Sequence, residues 1–157
     1  MTARNAAFDI FTIERTYAHP VAKVFNAFAD EKAKLKWFAG PEDMWTELER
    51  RFDFRVGGKE RATGKFKSTG VVSRFDAFYF EIIPNERIIY SYEMHLNDVR
   101  ISVSLATLQF APAGDGTKLT VTEQGVFVDG YDDNGSREHG TNALLDMMGK
   151  SLEMADA

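Results

Sequence analysis

Cysteine is absent from the 157 residues, so disulfides, thiolate metal ligands and cysteine nucleophiles are excluded together, and a reducing, cytoplasmic setting is expected. The three histidines, His19, His95 and His139, lie far apart and match no metal-ligand spacing; neither metal nor cofactor is expected. No apolar run approaches ~18 residues, which excludes a membrane-spanning helix, and residues 1–11 lack the apolar segment of a signal peptide. Positive charge is scarce as well. With 19 Lys+Arg against 24 Asp+Glu, a net charge of -5 and no basic block, nucleic acid is not an expected partner. Gly114-Asp115-Gly116 lacks the strand-to-helix setting of a phosphate loop. The acidic run Asp129–Gly135 fails as a calcium loop, because Gly130 stands where an Asp is needed and Thr141 where a Glu is needed. Without repeats, linkers or low-complexity segments, residues 1–157 are expected to form a single domain.

What the chain has in quantity is aromatic rings: 13 Phe, 5 Tyr and 2 Trp. At roughly 200 Å² each they carry about 4,000 Å² of surface that favours burial. Either the core is unusually aromatic or rings line a cavity.

Residues 8–17 are rich in β-branched and aromatic side chains and read as a first strand. Pro20 starts a helix whose apolar stripe is Val21, Val24, Phe25 and Phe28, and Asp30 caps a second short helix reaching about Phe38 before Gly40-Pro41 stops it. Six strand-like segments follow, at about 45–56, 59–67, 69–83, 87–96, 99–111 and 117–128. They are divided by Gly57-Gly58, Pro84-Asn85, Asn97-Asp98 and Gly114–Gly116. Gaps this short require antiparallel hairpins. After a loop at 132–135, a helix from about Ser136 to Met154 carries Leu144, Leu145, Met147, Met148 and Leu152. This order predicts an α+β fold: a curved seven-stranded antiparallel sheet around a long C-terminal helix, with two short helices after strand 1. One long helix cannot cover seven strands tightly, which leaves a space between them.

Taking 96–98 as a turn places Met94 opposite Arg100, Tyr92 opposite Ser102 and Tyr90 opposite Ser104, with Phe78 and Phe80 on the same face. Serines beside large rings leave volume in that space. Glu123 falls on the same face as Leu119 and Val121, and Arg137 and Thr141 share the helical arc of Leu144, Leu145 and Met148. The inward charges are therefore Arg50, Arg100, Glu123, Asp76 and Arg137, which must pair with one another or meet a polar group of a ligand. Glu123 is the best acid or base candidate, because a carboxylate in an apolar pocket can have a raised pKa, with Arg100 as its companion. Ile101, Val103 and Leu105, opposite in phase to the serines, form an outward apolar stripe that could pair two copies of the chain.

The segments Asp53-Phe54-Arg55-Val56-Gly57-Gly58, Glu81–Tyr92 and Gly116–Thr122, with Pro20-Val21-Ala22-Lys23-Val24-Phe25 and the pair Trp37-Phe38, closely resemble the START-like superfamily. The similar branch is that of the C-terminal domain of the Hsp90 ATPase activator, and the resemblance covers roughly residues 8–153. It implies a helix-grip architecture around a hydrophobic cavity, in a superfamily of lipid and hormone carriers, aromatic polyketide cyclases and chaperone activators. The chain departs from many members in having Glu138-His139-Gly140 where a Trp often begins the last helix, which would enlarge the cavity mouth. The leading expectation is a binding protein for a small apolar or aromatic molecule, held by Trp37, Phe38, Phe54, Phe78, Phe80, Tyr90, Tyr92, Leu144 and Met148 and oriented by Arg100 or Glu123. The alternatives are a cyclase, dehydratase or hydrolase using the same cavity with Glu123 or Asp76 as base, or a chaperone-interaction module.

Overall fold

The structure, a computed structural model, describes residues 4–154. Along the chain run β1 (Ala6–Tyr17), α1 (Val21–Ala29), α2 (Glu31–Leu35), β2 (Trp45–Phe52), β3 (Lys59–Phe66), β4 (Val72–Ile83), β5 (Arg87–Leu96), β6 (Val99–Ala113), β7 (Gly116–Val128) and α3 (Asn134–Leu152). The seven strands form one antiparallel sheet in the order β1-β7-β6-β5-β4-β3-β2. Strands β2 to β7 are a meander, and β1 returns to pair with β7, so α1 and α2 carry the chain from one edge of the curved sheet to the other. This is the helix-grip architecture that the element order predicts.

Local chemistry sets the ends of the elements. Pro20 caps α1 with an extended backbone, and the Asp30 side chain accepts from the Ala33 amide at the start of α2. The Asp133 carboxylate accepts from the Ser136 amide at 2.8 Å, so α3 begins at Asn134, two residues earlier than the sequence suggests. Asn97 and Asp98 both adopt positive φ, 50° and 65°, the signature of a two-residue type I′ hairpin turn.

Two β-bulges decide which side chains face α3. The tight Asn97-Asp98 turn pairs Leu96 with Val99, and a register shift then leaves Ile101 as an extra residue between the His95–Arg100 and Met94–Ser102 pairs. Arg100 is thereby turned off the concave face: its side chain is 60% exposed and pairs with Glu93 at 2.6 Å, while Ile101 is buried instead of joining an outer stripe. In β4 the shift falls between Tyr79 and Glu81 and makes Phe80 the extra residue. A bulge reverses the phase of every residue beyond it. Phe75, Ala77 and Tyr79 face the core, whereas Phe78 and Phe80 meet edge to face on the outer face, with Phe80 exposed. Neither ring can line the space under α3. Asp76 also lies outside, bridged by Arg61 at 2.6 Å and Arg74 at 2.9 Å.

The two halves of α3 meet the sheet differently. Toward its C-terminus the Tyr17 hydroxyl donates to the Leu145 carbonyl at 3.0 Å, and Lys23 Nζ donates to the Leu152 carbonyl at 2.8 Å. Gly149 lies so close to Tyr17 that a Cβ there would stand 3.2 Å from the ring. Toward its N-terminus a Cβ on Gly140 would meet nothing within 4 Å. The C-terminal half of the helix packs closely on Tyr17, whereas the N-terminal half is tied to the sheet through longer side chains, Asn134 to the Ile10 carbonyl and Arg137 to Ser102 and Ser104.

Candidate functional site

Under the N-terminal half of α3 lies a cavity of about 490 Å³. Eight of the twenty aromatic residues line it: Phe28, Trp37, Phe38, Trp45, Phe66, Phe75, Tyr90 and Tyr92. Six of those eight belong to a closed circuit of ten rings. The circuit runs Phe25, Phe110, Phe28, Trp37, Phe38, Phe75, Tyr92, Tyr90, Tyr79, Phe54 and back to Phe25, with neighbouring centroids 5.0–6.1 Å apart and mostly edge-to-face. Leu108, Val121, Leu144 and Leu145 complete the apolar lining, and exposed Phe66, Ser136 and Gly140 mark where it meets solvent.

Of the residues expected to hold a ligand, Trp37, Phe38, Tyr90, Tyr92 and Leu144 line this cavity, together with Glu123, Arg50 and Arg137. Phe54 does not: it closes the ring circuit from behind, against Phe25, Phe52 and Tyr79. Met148 lies in the packed core toward the C-terminal end of α3 and is fully buried there.

At one wall the polar groups of β5, β6, β7 and α3 converge. Glu123 is 5% exposed, and its Oε1 accepts a hydrogen bond from the Tyr92 hydroxyl. Arg137 reaches down from α3 between the rings of Tyr92 and Phe127, donating to Ser102 at 2.7 Å, Asp132 at 3.0 Å, Tyr92 at 3.2 Å and Ser104 at 3.4 Å. Ser102 and Ser104 are thus not simply small. They are hydrogen-bond acceptors for the partly buried Arg137 guanidinium, which enters the space beside them. Burial pushes the Glu123 carboxyl above its usual range, and the hydrogen bond from Tyr92 and the charge of Arg137 oppose this without cancelling it. Burial, and then the neighbouring Glu123 charge, likewise hold the Tyr92 hydroxyl protonated.

At the opposite wall is a cluster that the sequence pattern did not bring forward. Lys34 of α2 is buried and donates to Glu60 Oε1 at 2.6 Å, the same oxygen that accepts from the Tyr79 hydroxyl at 2.5 Å. The ammonium lies 4.7 Å from the Phe38 ring centroid and 5.4 Å from that of Phe52. Burial holds Lys34 below its ordinary range, with Glu60 pulling the other way. Two signals were present in the sequence: Lys34 is three and four residues before Trp37 and Phe38, and Glu60 alternates with Ala62 and Gly64 on β3. Beside this cluster Arg50 donates to the Phe38 carbonyl at 2.8 Å and to Glu47 at 2.7 Å. Among the described residues no group of three or more His, Asp or Glu side chains is placed to hold a metal ion, and no helix is long and apolar enough to cross a membrane.

A curved sheet closed by one long helix over an aromatic-lined cavity is the helix-grip arrangement, a fold commonly used to bind ligands. The sequence pattern of the family described as Activator of Hsp90 ATPase homolog 1-like protein matches residues 18–153, and the chain belongs to that family. Its fold is shared by an uncharacterised protein from Rhizobium leguminosarum, 45% identical over 97% of this chain and 99% of the other, with a TM-score of 0.90. A protein from Rhizobium loti is 40% identical over 94% and 99% of the two chains, with a TM-score of 0.86. One from Chromobacterium violaceum is 25% identical over 93% and 98%, with a TM-score of 0.74. No curated protein matches the chain.

Proposed function

We propose that the protein binds a small, largely apolar molecule with an aromatic body in the cavity beneath the N-terminal half of α3. The observation that carries this reading is the cavity itself: about 490 Å³, walled by rings and interrupted by a few convergent polar groups, which is the size and composition of small-molecule sites. An interior of this volume with no occupant forfeits the contacts that close packing supplies, so a ligand has a free-energy reason to enter. Trp37, Phe38, Tyr90, Tyr92 and Leu144 supply contact area, and Glu123 with Arg137 orients a polar group. Both tryptophans of the chain, Trp37 and Trp45, line the cavity, so intrinsic fluorescence reports occupancy without a label. Titration with naphthalene-sized aromatics and with fatty acids should quench or shift that emission in a saturable way, and native mass spectrometry of freshly purified protein should find a retained small molecule. Absence of both signals across such a panel would sink the reading.

A second reading, an enzyme of the cyclase, dehydratase or hydrolase type, is favoured by one feature: a buried carboxyl whose pKa is raised, hydrogen-bonded by a tyrosine, on a cavity wall. In that reading Glu123 moves the proton. Arg100 points away on the outer face, so the cation beside Glu123 that can meet a developing negative charge is Arg137. Glu123→Gln should then abolish turnover while the cavity still fills.

A further inference from the structure

The hydrogen bonds around Glu123 do not close. The Tyr92 hydroxyl donates to Oε1, but among the described residues the one hydrogen-bonding contact of Oε2 is the Thr141 hydroxyl at 3.5 Å. A hydroxyl has a single proton to donate. Thr141 already spends its proton on the Arg137 carbonyl one turn back, at 2.9 Å, a far better bond than one at 3.5 Å. Arg137 is committed elsewhere, to Ser102, Ser104, Tyr92 and Asp132. Among the described residues Oε2 therefore lacks a committed donor, in a residue 5% exposed that lines an apolar cavity. A buried carboxylate oxygen without a donor is costly, and the cavity is the direction from which one can come.

Resting on the binding reading above, we infer that Glu123 is the specificity-determining residue of the cavity and selects ligands whose apolar body carries an O–H or N–H donor. The ligand class is a hydroxylated aromatic, a phenol or aryl alcohol, whose proton is donated to Glu123 Oε2 while its rings lie against Tyr90 and Tyr92. A molecule offering only acceptors at that end, such as an aryl ether, brings a lone pair against the carboxylate and leaves Oε2 unsatisfied.

The test compares 2-naphthol with 2-methoxynaphthalene by tryptophan fluorescence on the purified chain. A hydrogen bond to a charged group gives native protein a preference for 2-naphthol of about tenfold or more. Glu123→Met removes the acceptor and should bring the ratio of affinities to about one. Glu123→Gln is nearly isosteric and keeps an oxygen for Tyr92, which puts its amide N–H₂ where Oε2 stood; the preference should then shrink or invert toward the ether. Circular dichroism confirms that each variant is folded, and Glu123→Gln decides the matter should the Met variant not fold. Equal binding of the two probes by native protein overturns the inference, since a bound water then serves as the donor to Oε2. Persistence of the preference in a folded Glu123 variant overturns it equally. Both outcomes leave the cavity reading standing, whereas failure of both probes to bind native protein removes that reading too.

Discussion

The buried pair Lys34–Glu60 makes a prediction whose size follows from where it sits. The two side chains are 8% and 1% exposed, and their contact at 2.6 Å joins α2 to β3 beside the cavity. Lys34→Met keeps an unbranched apolar side chain between the Phe38 and Phe52 rings but strands Glu60 with the Tyr79 hydroxyl as its one hydrogen-bond donor. Breaking a buried pair by removing one partner costs about 3–5 kcal/mol, because the desolvated charge left behind has lost its counter-ion. For a chain of this length that corresponds to a fall in Tm of roughly 10 °C. The double variant Lys34→Met, Glu60→Gln leaves no buried charge, and the Gln carbonyl can still accept from Tyr79. It should recover most of the loss, or exceed native stability, because apolar replacements of buried pairs are often neutral or better. Urea unfolding of the four members of the cycle measures the coupling directly. If Lys34→Met alone costs less than about 1 kcal/mol, the pair is effectively solvated and the account of this wall is wrong.

Further outcomes rest on other features. Gly140→Ala places a Cβ in open space and replaces a helix-interior glycine, so it should stabilise the fold by about 0.5–1 kcal/mol in chemical denaturation. Gly64→Ala should do the opposite, because its Cβ would stand 1.9 Å from the Trp45 ring; the indole must move, and the tryptophan emission should shift with a loss of about 1–3 kcal/mol. The tyrosines set an alkaline limit. Burial pushes Tyr17 up to about 12 and raises Tyr79, Tyr90 and Tyr92 further, while the unfolded chain ionises near pH 10. Their contribution to stability is therefore complete below pH 10 and lost progressively above it. Absorbance at 295 nm should show these four ionising together with the loss of circular dichroism, and their ionisation near pH 10 in a still-folded chain would contradict the burial described.

The order of elements was legible because turn residues and hydrophobic period are local properties, and the helical arc carrying Arg137, Thr141 and Leu144 was legible for the same reason. The inward faces of β6 and β7 followed from strict alternation: Ser102, Ser104 and Ala106, then Leu119, Val121, Glu123 and Phe127, are all buried. What alternation could not supply was the position of a bulge. Ile101 and Phe80 are ordinary strand residues, and nothing in their side chains announces that the backbone inserts one extra residue there. Each insertion nevertheless moved a proposed site residue, Arg100 in one case and Phe78 with Phe80 in the other, to the opposite face. The serines misled differently. Their size was read as room, whereas Arg137, distant in sequence, uses them as acceptors.

The aromatic surplus reads differently once the rings are joined up. A cavity of this size under a helix should tend to collapse, since flexible aliphatic side chains would rotate inward to regain contact. The ten-ring circuit opposes that collapse. Each ring has few torsions, most contacts are edge-to-face, and the ten rings come from six parts of the fold: α1, the α2–β2 connection, β4, β5, β6 and the β2–β3 connection. Closure means that no ring has a free end from which to turn into the space. Phe54 and Tyr79 on the back of the circuit therefore shape the cavity without touching its contents. Phe54→Leu should accordingly weaken binding of an aromatic probe although Phe54 does not line the cavity, because it removes two edge contacts worth about 0.5–1.5 kcal/mol each and lets Tyr79 and Phe25 relax. Phe80→Leu on the outer face should leave probe binding unchanged. Equal effects of the two substitutions on probe affinity would mean that the circuit is packing alone and does not hold the cavity open.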